Sequence, residues 1–557
     1  MATLKYVRVS QYRSIRDEVV LRMPDSSPLV LVGPNNAGKS NLARAVDLIL
    51  GERWPGNDEP EDHDFHNRDR SNSPIQVSVD FDGLDYVDWR GDVSPAEGLV
   101  WKHTPTDGTT FEVTVPGGRT RRVNNLTREQ CVSIYIAADR RLSYQLSYVT
   151  RFTLLSKLMK RFHTALIADD SRTERLRAQF DEVQLIFQEV DEFSGFLAKL
   201  RQQLESFSEG LEYGLDVDLS AYDPSNYFHA LHVQPKQGEE VRSFEELGTG
   251  QEQLLAFSIV QAYAEAFHGE AGLLLVVEEP EAHLHPMAQR WLAQKMRGLV
   301  EAGVQVIITT HSPAFVNLMG ADGLVVVTKS EGSTRIRQLR AEQLADYCKR
   351  HGAPAARPDN ILPFYAAAAT DEILSGLFSR KIVLVEGPTE ALALPVYCDR
   401  VGLSLARHGI SIIPVHGVGN LARWWRFFTA YGIPTYAIFD NDASDDRAGV
   451  KRRDLLRTVG VAADRADELL EAHDWLIGAR LSVFGQDFET SLRELFGESY
   501  EQLEGDAAER GLAGQGSKPL TARYVAERIA MPDESDAHKR FTELTQRIRN
   551  LPNPATA

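Results

Sequence analysis

The order of hydrophobic and polar positions predicts the first elements of the chain. Residues 6–12 alternate between the two classes, which is typical of a β-strand with one exposed face. A wholly apolar strand is predicted at residues 29–32, before a glycine-containing turn and a helix at 41–50. Residues 51–73 are polar and predict a long loop, with further strands at 75–81 and 110–115.

The pattern changes to helical spacing after residue 151. Residues 151–213 are rich in charge and almost free of glycine and proline, so a helical insertion is predicted. Two interpretations stay open for it, a dimerisation hairpin or helices packed on their own domain. Strand–helix alternation returns up to residue 327, a linker is predicted at 351–378, and a new strand begins at Lys381.

Length and composition favour a multidomain globular protein. The chain has 557 residues, which exceeds one ordinary core, and it is 43% hydrophobic and 25% charged. We expect a cytoplasmic protein without a membrane partner, because no secretion signal and no long apolar run is present. Cys131, Cys348 and Cys398 are too far apart to form a metal knuckle, so we expect buried free thiols.

The net charge of −18 argues against a general nucleic-acid binder. A DNA enzyme remains compatible with it, because metal ions in an acidic site neutralise phosphate locally. A DNA groove would then need a local basic surface, and a solvated face is the alternative for each basic cluster. The clusters are Arg119, Arg121, Arg122, Arg140 and Arg141, and then Lys451, Arg452 and Arg453.

Residues 33–40, GPNNAGKS, match the phosphate-loop pattern and lie between a predicted strand and helix. Backbone N–H groups of such a loop surround the phosphates, and the helix N-terminus adds partial positive charge. Lys39 is expected to contact the β- and γ-phosphates of ATP and Ser40 to ligate Mg²⁺. The predicted nucleotide-binding residues of this loop are Gly33, Asn35, Asn36, Ala37, Gly38, Lys39, Ser40 and Asn41.

A second apolar strand, at residues 273–277, ends in two carboxylates. Glu278 is expected to hold Mg²⁺ through water, and Glu279 is the predicted catalytic group that polarises the attacking water. A third strand, at residues 306–310, ends at His311, the predicted contact to the γ-phosphate.

Together these segments resemble the ABC ATPases of the SMC and RecF type. Residues 247–251, LGTGQ, stand where the signature sequence of that family would lie, with Gly248 in place of its usual serine. The predicted nucleotide contacts there are Gly248, Thr249, Gly250 and Gln251, and Thr249 would supply the hydroxyl. The family's glutamine-bearing loop is not recognisable, with Gln76 the one candidate. The resemblance implies a homodimer or higher even oligomer, because one protomer's signature completes its partner's ATP site.

The C-terminal third carries different chemistry. Glu386 follows the strand that begins at Lys381, and Glu390 lies in the first turn of the next predicted helix. Asp440 and Asp442 follow another predicted strand, at residues 435–439. Acids at the carboxyl ends of parallel strands converge on one crevice, and clustered carboxylates need divalent cations. This arrangement resembles the Toprim domain.

The whole order resembles the overcoming-lysogenization-defect (OLD) nucleases, a group that includes the Gabija nuclease subunit. Asp487, Glu489 and Lys518 complete the likeness by order and local pattern. The resemblance implies two-metal phosphodiester hydrolysis with Mg²⁺ or Mn²⁺. Lys518 would offset charge on the phosphate, and Glu386 would act in catalysis as well as metal binding. The implied metal ligands are Glu386, Glu390, Asp440, Asp442 and Glu489, with Asp487 as an extra one.

The predicted architecture is therefore α/β. An SMC- or RecF-like P-loop ATPase domain is expected in residues 1–150 and 214–350, around the insertion at 151–213. The linker at 351–378 would lead to a Rossmann-like Toprim domain at 379–557.

The function that follows is an ATP-controlled DNA endonuclease, with an antiphage role and a helicase-like partner implied by resemblance alone. A RecF- or SMC-like DNA clamp without nuclease activity is the alternative. A topoisomerase would need a nucleophilic tyrosine such as Tyr500 or Tyr524, yet no separate DNA-binding module frames either. A primase would need zinc-binding cysteines that the chain lacks.

Overall fold

The computed structural model forms two compact units, Met1–Ala138 together with His268–Ala557, and Asp139–Phe267. The residues that it describes are 2–51, 53–56, 59–70, 74–128, 130–137, 166, 168–191, 194–195, 198–199, 236–237, 240–241, 248–266, 272–442, 446, 448–512 and 517–554.

An antiparallel sheet contains the first strand of the chain. Val7 and Val9 are buried in that strand while their neighbours are partly exposed, which confirms the predicted alternation. The strands are β1 Thr3–Ser10, β2 Val19–Arg22, β4 Ile75–Val87, β5 Val93–Thr104, β6 Gly108–Val115 and β7 Arg119–Arg122. Their order is β2–β1–β4–β5–β6–β7.

A second, largely parallel sheet carries the ATPase motifs. Its strands are β3 Leu29–Val32, β8 Cys131–Ile136, β11 Gly272–Glu278, β12 Gln305–Thr309, β13 Leu324–Ser330 and β14 Ser333–Gln338. Their order is β14–β13–β3–β12–β11–β8, with β14 antiparallel to β13. All of β3 is buried, as expected for an apolar strand inside an α/β layer. Helices α1 Lys39–Leu50, α2 Asn125–Arg128 and α5 Pro286–Glu301 accompany the two sheets.

The second unit contains the predicted helical insertion. Helix α3 Asp170–Gln188 confirms helix within residues 151–213, and most of the rest of that range lies outside the described residues. The hairpin of β9 Lys236–Gln237 and β10 Glu240–Val241 and the helix α4 Thr249–Ala266 also belong to this unit. The unit runs from 139 to 267 and is longer than the predicted insertion.

Residues 351–378 were predicted to be a linker, and this prediction is wrong. The range follows α6 Ala341–Arg350 and contains α7 Pro358–Ala366, α8 Asp371–Ser375 and the 3₁₀ turn Gly376–Phe378. Tyr365 is buried, and its ring centroid lies 4.9 Å from that of Phe427. The prolines and glycines that suggested a linker include Pro358, which occupies a first helical turn and needs no N–H partner there.

The C-terminal sheet is parallel except at one edge. Its strands are β15 Lys381–Val385, β16 Ile410–Pro414, β17 Thr435–Asp440, β18 Leu476–Ile477 and β19 Leu481–Phe484. Their order is β16–β15–β17–β19–β18, with β18 antiparallel to β19. Strands and helices alternate in this segment as predicted. The helices are α9 Pro388–Arg400, α10 Leu405–His408, α11 Val418–Ala430, α12 Val450–Val459, α13 Ala463–Glu471, α14 Phe488–Phe496, α15 Glu498–Glu509, α16 Lys518–Arg528 and α17 Asp536–Arg549.

Two further expectations concern the chain as a whole. Cys131, Cys348 and Cys398 are buried free thiols, as predicted. Across the described ranges, every helix is too short or too polar to cross a bilayer.

Candidate functional site

The phosphate loop closes against the neighbouring strands β13 and β14. Gly33 has φ 140°, and a Cβ there would lie 2.0 Å from the carbonyl oxygen of Val327. Gly38 has φ 110°, and a Cβ there would lie 2.2 Å from Thr334 Oγ1. Both positions combine left-handed backbone with close approach, so only glycine fits them. The loop then enters α1 at Lys39.

Lys39 is 6% exposed and lies over its own loop. Its Nζ donates to the carbonyl oxygens of Gly33, at 2.9 Å, and Pro34, at 3.2 Å. Burial lowers the pKa of Lys39 to about 8, while the charges of Glu279 and Glu281 oppose the shift. In the described part of the chain, the amine therefore donates its hydrogen bonds to two carbonyl oxygens in a buried site, a position where phosphate oxygens are favourable partners.

Side chains outside the motif hold the loop in place. Thr334 Oγ1 donates to the carbonyl of Ala37 at 2.8 Å, and its hydroxyl lies 2.7 Å from that of Ser14. Asn41, predicted to contact nucleotide, donates its side-chain amide to Ser14 Oγ at 2.7 Å. Asn41 therefore supports the loop. Asn35 and Asn36 are exposed, and Ser40 is partly exposed.

The two acids that follow β11 occupy different environments. Glu278 is 3% exposed and pairs in register with Thr309 of β12. Glu279 has φ 44°, and its backbone N–H donates to the carbonyl of Thr309 at 2.8 Å. Glu278 has the extended backbone of the strand, whereas Glu279 has a left-handed backbone. The two side chains therefore leave the chain in different directions.

Glu281, which the sequence analysis did not single out, fixes the segment that bears His311. Its carboxylate accepts the hydroxyl of Thr310 at 2.7 Å and the backbone N–H of His311 at 2.5 Å. Burial raises the pKa of Glu281, and burial together with the Lys39 charge lowers the pKa of His311. His311 is therefore neutral at pH 7 and can accept or donate a hydrogen bond at either ring nitrogen.

The predicted signature residues lie at the start of a helix, and Gln76 lies in a strand. Helix α4 begins at Thr249, just after Gly248, and the N–H of Gln251 donates to the Gly248 carbonyl at 2.8 Å. Gly248, Thr249, Gly250 and Gln251 thus form a helix N-terminus in the second unit, and their nucleotide contact stays a prediction. Gln76 lies within β4, paired with Ser10, so it belongs to a strand and not to a loop.

In the C-terminal sheet, the Glu386 side chain forms a hydrogen bond between the ends of two adjacent parallel strands. It follows β15, and its Oε1 accepts the backbone N–H of Asp440, at the end of β17, at 2.9 Å. Glu390 lies in the first turn of α9 and is 4% exposed. The crevice at the carboxyl ends of the strands thus receives carboxylates from both segments, as the sequence predicts.

Burial raises the pKa values of these acids, and neighbouring carboxylate charges add to the rise. Burial raises the pKa of Glu386 to about 6 and, with the charges of Glu386 and Glu489, raises the pKa of Glu390 to about 7. Burial and the charges of Glu390 and Glu386 raise the pKa of Asp440 well above its usual range. One oxygen of Asp440, Oδ1, is buried without a hydrogen-bond partner among the described residues. Such a set of oxygens is stabilised by a cation.

The other predicted ligands lie at different depths. Asp442 is exposed, and its charge contributes to the raised pKa of Glu386. Asp487 caps α14 by accepting the Thr490 N–H at 2.6 Å, while its charge and that of Glu489 contribute to the raised pKa of Asp440. Lys518 is exposed at the start of α16 and forms no ion pair within 4.0 Å with a described carboxylate.

The donor set of this crevice fits a hard divalent cation, because it consists of carboxylate oxygens. Within the described ranges, however, no three histidine, cysteine, aspartate or glutamate side chains already stand at metal-holding spacing. Side-chain rotation would therefore have to bring the oxygens together around an ion. The unpartnered Oδ1 of Asp440 and the mutual repulsion of Glu386 and Glu390 favour that rotation.

Arg452 was a candidate for a basic DNA-facing cluster, with a solvated face as the alternative, and its burial contradicts both interpretations. The side chain is buried, lies 3.3 Å from Asp446 in an ion pair, and donates to the backbone and side-chain oxygens of Asn441 at 2.7 and 2.8 Å. Asn441 separates Asp440 from Asp442, so Arg452 positions the acidic loop. Arg453 is exposed but pairs with Asp467 at 3.0 Å, and Lys451 is exposed.

Replacing Arg452 with methionine is expected to destabilise the protein by roughly 3 kcal/mol, because Asp446 would be left buried without its countercharge. Arg453→Met is the matched control and is expected to cost less than about 1 kcal/mol, because its pair with Asp467 is exposed. Chemical denaturation followed by circular dichroism measures both. Equal losses in the two variants would contradict the assigned role of Arg452.

The first basic cluster is only partly described. Arg119, Arg121 and Arg122 lie in the fully exposed strand β7, and the guanidinium of Arg121 lies 5.1 Å from the ring of Tyr86. Arg140 and Arg141 lie outside the described residues. Three arginines on one exposed edge strand leave the DNA-groove prediction open.

The tyrosines that a topoisomerase would need are poorly placed for attack. Tyr500 is 0% exposed, and burial raises its pKa, so its hydroxyl is neither accessible nor ionised. The Tyr524 hydroxyl donates to Asp506 at 2.8 Å, and the ring is 6% exposed. This geometry disfavours a covalent tyrosine mechanism.

Two known families match this arrangement. Residues 29–317, more than half of the chain, match the family described as "AAA domain, putative AbiEii toxin, Type IV TA system". Residues 377–442, which contain Glu386, Glu390, Asp440 and Asp442, match the family described as "Overcoming lysogenization defect protein-like, TOPRIM domain".

Individual relatives are similar over most of the chain. The OLD nuclease of Thermus scotoductus is 24% identical over 470 residues, covering 81% of this chain and 84% of the relative. The Old nuclease of Escherichia phage P2 is 23% identical over 489 residues, covering 82% and 80%. The Smc head domain of Pyrococcus furiosus, with an extended coiled coil and bound to the C-terminal domain of ScpA, is 15% identical with a TM-score of 0.39, covering 61% of this chain and 96% of that one. The chain therefore belongs to the AAA-domain family that residues 29–317 match, and it carries an OLD-like Toprim domain after it.

Proposed function

We propose that this protein is an ATP-controlled, divalent-metal-dependent DNA endonuclease. The observation that carries the proposal is the buried cluster of Glu386, Glu390 and Asp440, whose pKa values are raised by burial and by neighbouring carboxylates. One oxygen of Asp440 has no hydrogen-bond partner among the described residues. A phosphate loop with a buried lysine lies in the same compact unit. The similarity to relatives named OLD nucleases supports the same reaction.

The proposed ions are Mg²⁺ or Mn²⁺ at the carboxylate site and Mg²⁺ with ATP at the phosphate loop. A bound cation at the carboxylates would lower the pKa of water and stabilise charge on the scissile phosphate. The chain itself orients the carboxylates, because Arg452 and Asn441 fix the loop between the two aspartates. Lys518 would approach the phosphate only when DNA is bound. The proposed ligands are Glu386, Glu390, Asp440, Asp442, Asp487 and Glu489.

In the ATPase site, we assign phosphate binding to the N–H groups of the loop and to Lys39. Ser40 would ligate magnesium, and Glu278 would hold the ion through water. Glu279 would orient the attacking water, and His311 would contact the γ-phosphate. Glu281 acts through its neighbours, since it holds the backbone of His311 in place.

The proposal also includes partners. DNA is the substrate class, and a second copy of the chain would supply the signature residues around Thr249, since the chain has one phosphate loop and one signature. A helicase-like protein partner, a cytoplasmic location and a role against phage remain predictions of the family resemblance.

The segment between the two sites offers a physical route for ATP control. The ring centroid of Phe378 lies 6.1 Å from that of His311, and α8 contacts the turn Pro313–Phe315 that follows this histidine. On its other side, a Cβ at Gly376 would lie 2.7 Å from Ile413 and 2.9 Å from Ile382. A shift of His311 would therefore be transmitted by packed side chains to β15, which precedes Glu386.

Phe378→Ala is expected to reduce the effect of ATP on DNA cleavage about fivefold, because it removes the ring between His311 and the C-terminal sheet. ATP hydrolysis is expected to change less than twofold. The effect of ATP is the ratio of the DNA cleavage rates measured with and without ATP. Phe364→Ala is the control, because that phenylalanine is exposed. An unchanged ratio in Phe378→Ala would rule out this route.

Glu390→Gln is expected to stabilise the metal-free protein at pH 8 and to leave it nearly unchanged at pH 4. The folded pKa of about 7 lies above the usual 4.5, so the stability conferred by the protonated form is present below pH 4.5 and lost as pH rises through 7. The gain at pH 8 is on the order of 3 kcal/mol. Thermal unfolding in EDTA measures this gain, and a variant that is destabilised at pH 8 would contradict the raised pKa of Glu390.

A second candidate function is an ATP-gated DNA clamp without nuclease activity. It is favoured by one observation, that no three candidate ligands in the described part of the chain already stand at metal-holding spacing. A clamp would bind plasmid DNA in an ATP-dependent manner and leave it intact. Agarose electrophoresis of plasmid after incubation with the protein and Mn²⁺ separates the two functions.

A further inference from the structure

A cavity of about 750 Å³ lies at the opposite end of β17 from the carboxylates. Thr435, the first residue of β17, lines the cavity, whereas Asp440 ends the strand. At about 3.3 Å per residue the two ends are roughly 16 Å apart. Helices α6 and α11 form much of the wall. The cavity is therefore separate from the crevice that holds Glu386 and Asp440.

The cavity wall is positively charged. Arg337, Arg350 and Arg480 line it, and none of them forms an ion pair within 4.0 Å with a carboxylate of the described residues. Asp346 also lines the cavity, but Lys349 lies 3.3 Å from its carboxylate. In a chain with a net charge of −18, three arginines without carboxylate partners around one cavity favour an anionic ligand.

Flat rings form another part of the wall. The rings of Tyr347 and His351 stack with centroids 4.1 Å apart, and the ring of Trp425 lies 6.1 Å from that of His351. Trp425 is 4% exposed, and its Nε1–H has no hydrogen-bond partner among the described residues. Nδ1 of His351 lies 2.9 Å from the Tyr347 carbonyl and so donates to it, which leaves Nε2 as an acceptor in the neutral ring.

We propose that this cavity binds a nucleoside phosphate. The arginines would bind the phosphate, for which planar guanidinium groups are well suited. The aromatic wall would contact the base, with the Trp425 N–H as a donor and His351 as an acceptor for polar atoms at its edge. The volume of about 750 Å³ is ample for a mononucleotide.

Two sources share this chemistry, a free mononucleotide and the terminal nucleotide of a DNA strand. Either would sit on α11, which also runs to the carboxylate site, where the N–H of Val418 donates to Glu386. The ligand would thus contact one end of a helix whose other end positions a proposed metal ligand. The inference rests on the cavity and not on the proposed nuclease reaction, so the two can fail separately.

The test measures binding in full-length Lys39→Ala protein, which disables the phosphate loop, with EDTA present. Isothermal titration calorimetry would use AMP, TMP, a 5′-phosphorylated oligonucleotide and its 5′-hydroxyl counterpart, with inorganic phosphate as the reference ligand. A cavity variant carries Arg350→Ala and Arg480→Ala together in the Lys39→Ala background. It is expected to bind at least about 10-fold more weakly, because each substitution removes a charge-assisted phosphate contact. Trp425→Phe, which removes only the N–H donor and little volume, is expected to weaken binding about threefold.

Arg407→Ala with Arg457→Ala is the matched control, since both arginines are exposed and outside the cavity. Binding of AMP or TMP that is lost only in the cavity variant identifies a free nucleotide as the ligand. Binding of the 5′-phosphorylated oligonucleotide alone, lost in the same variant, identifies a DNA end. The proposal is overturned if no probe binds more tightly than inorganic phosphate, or if the cavity variant binds like its parent.

Discussion

Asp440→Asn is expected to reduce DNA cleavage on the order of 10³-fold while ATP hydrolysis is unchanged. The residue ends β17, and its Oδ1 has no hydrogen-bond partner among the residues that the structure describes, so the oxygen is available for a cation. Asparagine keeps the shape and removes the negative charge, which burial and the charges of Glu390 and Glu386 disfavour at this position. The fold should persist, because repulsion among Glu386, Glu390 and residue 440 falls.

Glu501→Gln is the control for Asp440→Asn, since Glu501 is an exposed acid on α15. It is expected to cleave plasmid at the wild-type rate. The comparison measures initial cleavage rates with Mn²⁺, together with ATP hydrolysis and the unfolding temperature. If the folded Asp440→Asn protein cleaves DNA at a rate within threefold of wild type, Asp440 has no essential role in the reaction.

Lys39→Ala is expected to lower ATP hydrolysis at least about 100-fold. Its amine is buried over the loop carbonyls and is the one cation that the loop itself offers to the phosphates. Since burial lowers the pKa of Lys39 to about 8, the wild-type amine is mostly charged at pH 7 and loses its proton above pH 8. Cleavage by Lys39→Ala should no longer respond to ATP concentration.

The control for this variant is Lys329→Ala, an exposed lysine in β13. Phosphate release and plasmid cleavage are measured over a range of ATP concentrations. Cleavage that still responds to ATP in Lys39→Ala, with hydrolysis abolished, would place ATP control outside the phosphate loop. The sign of the response in wild type shows whether ATP activates or inhibits.

The elements that bear the motifs could be predicted because their sequence signals are local. Strands β3, β15 and β17 are short apolar runs buried on both faces, and glycines or acids follow them directly. A parallel sheet brings the ends of such strands together. The contact between Glu386 and Asp440 therefore follows from the order and direction of the strands, and the resemblance to Toprim domains predicted that order.

What the sequence did not reveal depends on contacts between distant residues. Thr334 supports the phosphate loop from almost three hundred residues away, and no spacing rule links the two. Arg452 looked like part of a solvated basic run, yet Asp446 and Asn441 hold it in the interior. Proline and glycine suggested a linker at 351–378, where buried apolar side chains such as Tyr365 instead fix two helices.

The measurement that tests the central claim most directly is the incubation of wild-type protein with supercoiled plasmid and Mg²⁺, Mn²⁺ or EDTA. Glu390→Gln runs in parallel, and the ends of the products are analysed. We expect nicked or linear DNA with free hydrolysed ends only in wild-type samples that contain a divalent cation. Intact plasmid in every sample, or a tyrosine–DNA adduct, would contradict the assignment of the carboxylate cluster as a metal-dependent nuclease site.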